Sequence, residues 1–92
     1  MIIHVQYATQ VRMAVGHNKE SIEVKDPTTL AEFLQALGLS KSEAVRSLLF
    51  NEQGEWKSGV LIFVNNIAVN ASHRTELNDG DTISLMTLVS GG

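Results

Sequence analysis

Few side chains of this chain have the type and spacing that covalent chemistry requires. The chain contains no cysteine, which excludes a thiolate nucleophile, a disulfide framework and a cysteine-based zinc or iron–sulfur site. Asp79 and Asp81 fit a turn better than a catalytic pair. We predict no catalytic or metal-binding side chain. The histidines lack the spacing of a metal or acid–base site and are expected at the surface: His4, His17 and His73.

The candidate reactive group is instead the α-carboxylate of the last residue, Gly92. Such a carboxylate has a pKa of about 3.5 and is ionised at neutral pH. Gly91 and Gly92 have no Cβ and accept any backbone conformation, which suits a segment that must enter a narrow channel in another protein. Ser90 and Gly91 would form the tail that carries this group, and the expectation that Gly92 is the reactive residue is what a family resemblance of the chain implies.

Composition and charge restrict the classes of partner. A chain of 92 residues with 43% hydrophobic residues suits one small domain, which we expect over residues 1–92. Such a chain is too short to form both a large core and an internal active-site cleft. The formal charge of -3 and the scattered basic residues offer no basic stripe for nucleic acid. The apolar segments are shorter than the ~20 residues of a membrane span and no leader peptide is evident, so we expect a cytoplasmic protein.

Two segments in which apolar and polar residues alternate predict a β-hairpin at the start of the fold. Ile3, Val5 and Tyr7 alternate with polar residues, which is the period of a half-buried strand. Residues 21–25 alternate in the same way before an Asp-Pro pair ends the segment. Between the two strands we expect a loop of uncertain length over residues 9–19.

A capping box predicts the start of the main helix, because the side chains of Thr29 and Glu32 can satisfy each other's backbone amides. Gly38 is expected to end this helix in the left-handed conformation. A second capping pattern at residues 40–43 predicts a shorter helix that ends near Asn51. The apolar stripe of the main helix follows the i, i+3, i+4, i+7 spacing: Leu30, Phe33, Leu34 and Leu37.

Three more strands are predicted in the second half of the chain. Residues 59–64 form a continuous apolar run, Asn65 and Asn66 suit a tight turn, and residues 67–69 form a short strand. A turn at residues 77–81 precedes the last strand, at residues 82–89. A right-handed crossover over the main helix would set the first and last strands side by side and parallel. The expected fold is α+β, a β-grasp (ubiquitin-like) mixed sheet of four to five strands packed on one main helix.

Three motifs give the chain a resemblance to a known family. These are the segment VNN at residues 64–66, the turn LNDGDTI at residues 77–83, and the terminal SGG at residues 90–92. Together they resemble the MoaD/ThiS family of ubiquitin-like sulfur carriers, and the last strand runs from the Asp-Gly turn to the Gly-Gly terminus without a spacer.

The resemblance implies that the chain is a carrier or non-catalytic small subunit and not itself an enzyme. A MoeB/ThiF-like partner would use ATP and Mg to adenylate Gly92, and a sulfur donor would then convert it to a thiocarboxylate. The acceptor would be a MoaE-like synthase subunit or another enzyme. No cofactor is expected on the chain itself.

The resemblance is compatible with several destinations of the sulfur. Asn66 stands where this family usually has Gly, and residues 86–89 lack the prolines of many molybdopterin-type carriers. Cofactor biosynthesis as in molybdopterin synthase, cysteine synthesis and tRNA thiolation are alternative pathways. A ubiquitin-like modifier conjugated through Gly92, or a non-covalent module resembling regulatory TGS domains, are alternative functions.

Strand alternation also predicts a patch that docks the partner. If Ile83 and Leu85 face the main helix, Met86 and Leu88 face outward beside the tail. The bulkier Leu61 and Phe63 are expected in the core, or all of these residues are buried on both faces under a covering loop. The expected partner-binding residues are Ile62, Met86, Leu88 and Val89.

Overall fold

A computed structural model of the chain describes residues 1–88. Within that range the chain forms five strands and three helices. In chain order these are β1 (Ile2–Ala8), α1 (Thr9–Val15), β2 (Lys19–Glu23), α2 (Leu30–Ser40), α3 (Glu43–Leu49), β3 (Val60–Val64), β4 (Ile67–Val69) and β5 (Thr82–Thr87). None of the helices in this range is both long and apolar enough to cross a membrane.

The strands form one mixed sheet in the order β2-β1-β5-β3-β4. β1 and β5 are parallel, with Val5 paired to Ile83 and Tyr7 to Leu85, while the other neighbours are antiparallel. The expectation that the first and last strands lie side by side is confirmed. This arrangement is the predicted β-grasp fold, with β5 inside the sheet and paired on both sides.

One face of the sheet is buried beneath the helices. Alternate residues of β1, β3 and β5 point to this face and pack with α2 and α3 in a single cluster. Full burial of each large apolar side chain contributes about 1.5–3 kcal/mol relative to leaving it exposed. The largest fully buried side chains are Phe33, Ile3, Leu30, Leu34, Leu49, Ile83, Leu85, Val5 and Val11.

Local signals at helix and hairpin ends are confirmed. The hydroxyl of Thr29 accepts from the amide of Glu32, whose carboxylate accepts from the amide of Thr29, so the capping box is complete. Asn65 and Asn66 both have positive φ, 51° and 70°, in the turn between β3 and β4. These motifs are encoded within a few residues, which is why sequence alone identified them.

Helix α1 was not predicted, because residues 9–19 were interpreted as a loop. Its seven residues have only Val11 buried, and no side chain caps its first turn. A helix this short is marginal alone; here it packs against β5, β1 and α3. Gly16, with φ 95°, ends it.

The predicted end of the main helix at Gly38 was wrong. α2 continues to Ser40, and Gly38 is a buried residue within it. A Cβ at this position would collide with the ring of Phe50, so the absence of a side chain serves a close approach and not a turn. The cap of α3 is Ser42, whose hydroxyl accepts from the amide of Val45, and not the predicted position 40.

The predicted orientation of β3 was also wrong. Ile62 is only 3% exposed and pairs with the buried Leu85 of β5, while Leu61 and Phe63 lie on the opposite, partly exposed face. Register across the sheet decided the face, because directly paired residues point to the same side. The size of the side chains, on which the prediction depended, did not decide it.

Candidate functional site

The end of β5 leads directly to the predicted reactive terminus. β5 pairs with β1 as far as Met86 and with β3 as far as Thr87. Beyond the paired segment, the amide of Leu88 donates to the carbonyl of Gly59 at 2.9 Å. The chain is therefore held by the sheet up to its last described residue. The predicted site residues Val89, Ser90, Gly91 and Gly92 lie outside the described range.

Thr9 holds the other side of this strand end. Its hydroxyl oxygen accepts from the amide of Thr87 at 2.9 Å and lies 2.8 Å from the Thr87 hydroxyl. Sequence reasoning did not single out Thr9, which belonged to a predicted loop. A threonine at the end of a strand carries no distinctive sequence signal, so this contact could be found only in three dimensions.

An apolar patch lies on the uncovered face of the sheet next to this end. It consists of Leu61, Phe63 and Met86, which are partly buried, and of Leu88, which is 58% exposed and which strand alternation after Met86 assigns to the same face. Leu61 is directly paired with Met86 and so shares its face. We call these four residues the outer patch. It retains the predicted Met86 and Leu88, whereas Ile62 belongs to the core and is excluded.

Two basic residues border the outer patch. A hollow of about 550 Å³ beside Met86 is lined in part by Arg12 of α1 and Lys19 of β2. Apolar residues with a charged margin resemble the centre and rim of a protein interface. The arrangement therefore has the composition of a surface that can contact another protein.

A charged cluster connects β1, β2 and the end of α2. Glu20 accepts from the hydroxyl of Tyr7 and from the ammonium of Lys41, each at 2.5 Å, and lies 3.3 Å from His17. Burial and the adjacent Glu20 carboxylate raise the pKa of Tyr7 far above its usual value. Burial alone would raise the pKa of Glu20, but the hydrogen bonds from Lys41 and Tyr7 outweigh it and lower that pKa. The cluster links β1, β2 and the end of α2 through one carboxylate.

The histidines lie at the surface, as predicted: His4, His17 and His73 are all exposed. Within residues 1–88, no group of three or more histidine or carboxylate side chains is arranged to hold a metal ion. The reactive group expected at Gly92 therefore stays a prediction.

Comparison with known proteins gives a family and a set of similar structures. The sequence model of the ThiS family matches residues 5–92. None of the curated proteins compared with the chain matches it significantly.

Three solved structures illustrate the fold. SAMP1 from Haloferax volcanii is similar with a TM-score of 0.86 at 23% identity, covering 100% of both chains. Urm1 from Trypanosoma brucei has a TM-score of 0.79 at 25% identity, covering 99% of this chain and 95% of that one. A chain in the complex of subunits 1 and 2 of molybdopterin-converting factor from Helicobacter pylori has a TM-score of 0.63 at 24% identity, covering 100% of both.

Proposed function

We propose, because the chain belongs to the ThiS family of ubiquitin-like sulfur carriers, that it carries sulfur as a thiocarboxylate on Gly92. The observation that supports this most directly is the position of β5. This strand is paired on both sides and runs from the Asp79–Gly80 turn toward the terminus, with four residues following Leu88. A partner that bound the domain would meet the end of β5 at a defined place, with Gly92 four residues further along the chain.

The proposed chemistry begins with activation by a MoeB/ThiF-like enzyme. A carboxylate oxygen of Gly92 attacks the α-phosphorus of ATP, the bond to the β-phosphate breaks, and pyrophosphate leaves. Mg in the enzyme offsets the negative charge of the phosphates. The carrier is a substrate in this step, and all of the nucleotide chemistry belongs to the partner.

Sulfur transfer follows on the acyl adenylate. Hydrosulfide from the sulfur source attacks the acyl carbon of Gly92, AMP leaves with the electron pair of the broken C–O bond, and loss of the S–H proton gives the thiocarboxylate. The absence of cysteine in the carrier fits this step, since a neighbouring thiolate could attack the activated acyl group.

The outer patch is the proposed docking surface for these partners. Leu61, Phe63 and Met86 offer an apolar centre, and Arg12 and Lys19 offer basic margin residues for carboxylates of the partner. The acceptor of the sulfur is proposed to be a synthase subunit for cofactor biosynthesis, by analogy with the two-subunit complex of molybdopterin-converting factor. Acceptors for cysteine synthesis or tRNA thiolation remain alternatives.

The test is intact-mass spectrometry of the chain with an unmodified C-terminus, incubated with ATP, a family activating enzyme and a sulfur source. We expect pyrophosphate release and the mass gain of one oxygen-to-sulfur exchange. The matched control lacks only Gly92 and should show neither. Absence of both signals with several activating enzymes would contradict the carrier function.

A second candidate function is conjugation to other proteins through Gly92. Its support is the structural similarity to SAMP1, which is named a small archaeal modifier protein. This function uses the same activation but ends in an isopeptide bond to a lysine. Mass spectrometry of tryptic peptides from the source cells would distinguish the two, because only a modifier leaves residues of its terminus on lysines of other proteins. If the Gly92-deleted protein retains full function, neither applies and a non-covalent module is indicated.

A further inference from the structure

Thr9 adopts a backbone conformation that is costly for its residue type. It lies at the junction of β1 and α1 with a φ of 56°. A positive φ is uncommon for any residue with a side chain and is a genuine outlier for a β-branched one. Glycine would adopt this conformation without strain. The threonine side chain must therefore provide something that glycine could not.

The contacts of the hydroxyl supply the reason. A hydroxyl has one proton to donate and two lone pairs. Thr9 Oγ1 is 2.7 Å from the carbonyl oxygen of Ala8, to which it donates. It accepts from the Thr87 amide at 2.9 Å, and the Thr87 hydroxyl at 2.8 Å can fill its second lone pair. The carbonyl oxygen of Thr87, 3.3 Å away, is a second acceptor for the Thr9 hydroxyl. When the Thr87 hydroxyl donates to Thr9, the proton and both lone pairs of the Thr9 hydroxyl have partners.

These hydrogen bonds replace the backbone pairing between β1 and β5 at the point where β1 ends. The last β1–β5 pair is Ala8 with Met86. The positive φ of Thr9 then directs the chain into α1. As a result, β1 has no further backbone group to pair with Thr87. The hydroxyl takes that place on one side of the strand, while on the other side Leu88 donates to Gly59 at 2.9 Å. Both sides of the strand end are thus restrained.

We propose that Thr9 is a positioning residue that sets the direction in which the chain leaves the sheet toward Gly92. The inference rests on the proposed function. The four residues after Leu88 can span at most about 14 Å, so a change in direction at Leu88 displaces the terminus within the partner's site. Small misplacements of a reacting group lower rates strongly.

The experiment compares three substitutions at position 9 in the full-length chain. Thr9→Val and Thr9→Gly both remove the hydroxyl, but Val retains the strain and Gly relieves it. Thr9→Ser retains the hydroxyl and is the rescue variant. Thr75→Val, at an exposed loop threonine, is the matched control. Each variant's fold is first checked by near-ultraviolet circular dichroism and thermal unfolding.

The kinetic readout is pyrophosphate release by a family activating enzyme at varied carrier concentration. Loss of one hydrogen bond is worth about 1 kcal/mol, or about fivefold at 1.36 kcal/mol per tenfold. We expect kcat/KM to fall about fivefold for Thr9→Val and Thr9→Gly, mainly through kcat. Thr9→Ser and Thr75→Val should stay within about twofold of the unmodified chain.

Amide hydrogen exchange at Thr87, measured by NMR, is the second readout. It should accelerate in the Val and Gly variants and not in the Ser variant. The positioning function would be overturned if the Val and Gly variants showed an unchanged exchange rate at Thr87 or an unchanged kcat/KM. An equal loss of kcat/KM in the Ser variant would overturn it too. None of these outcomes would contradict the carrier function. If the unmodified chain releases no pyrophosphate with any of several activating enzymes, the proposed function is wrong, and the positioning function, which rests on it, is wrong too.

Discussion

At the residue scale, the most interconnected ionisable group is Glu20. Its carboxylate receives hydrogen bonds from Tyr7 on β1 and from Lys41 just after α2, so one side chain joins three parts of the fold. Tyr7 is 4% exposed, and its ionisation would place a second negative charge beside the carboxylate. The cluster therefore makes stability depend on pH at the alkaline end.

The pH dependence of unfolding tests this cluster. The pKa of Tyr7 is raised above its ordinary value of 10.0, so the folded chain keeps a proton that the unfolded chain loses. Its contribution to stability is fully present below pH 10.0 and declines as the pH rises further. We expect a loss of about 1 kcal/mol per pH unit that is absent in Tyr7→Phe, measured by urea unfolding. Parallel profiles of the two proteins would contradict the assignment.

At the element scale, the pairing of β3 with β5 decides which side chains of β3 lie in the core and which lie on the surface. Ile62 pairs with Leu85 in the core, and Leu61 pairs with Met86 in the outer patch. Adjacent residues of similar size thus have different environments. This contrast allows stability and partner binding to be tested separately within one strand.

Matched alanine substitutions should show this separation. We expect Ile62→Ala to lower the free energy of unfolding by about 2–4 kcal/mol because it leaves a cavity. Leu61→Ala should cost about 1 kcal/mol or less, and should weaken binding to an activating enzyme several-fold if the outer patch docks it. Urea unfolding and calorimetric titration measure the two effects. Greater loss of stability in Leu61→Ala would refute the assigned orientation.

At the scale of the whole molecule, the two ends of the described chain meet at the centre of the sheet. β1 and β5 are adjacent, so the central pairing joins segments that are distant in sequence. β4 has only three residues at the sheet edge, and its Ile67 is 68% exposed. Stability should therefore be distributed unevenly, with the strand that leads to the terminus in the most stable part.

Native-state hydrogen exchange measures this distribution. We expect the amides that pair β1 with β5 to exchange only through global unfolding, because their side chains form the core. Amides of β4 should exchange through local opening at a lower free energy. The measurement is NMR exchange at increasing concentrations of denaturant. Equal protection in β4 and β5 would be inconsistent with this view.

Features encoded by neighbouring residues could be predicted from the sequence. The capping box of Thr29 and Glu32 and the turn at Asn65 and Asn66 depend on side chains that satisfy or permit the local backbone. Alternation identified β1 and β5, and the order of the elements then indicated their parallel pairing. The sequence by itself therefore indicated the five strands, the helices α2 and α3, the β-grasp topology and the candidate terminus.

Features that depend on contacts between distant segments were decided only by the tertiary structure. The buried face of Ile62 follows from its partner Leu85, and the need for a residue without a side chain at position 38 follows from the approach of Phe50. Helix α1 forms against β5 and α3, and Thr9 contacts Thr87 across 78 positions of the chain. Local propensity contains no information on which distant groups will meet, so the residues that hold the end of β5 became visible only in the folded chain.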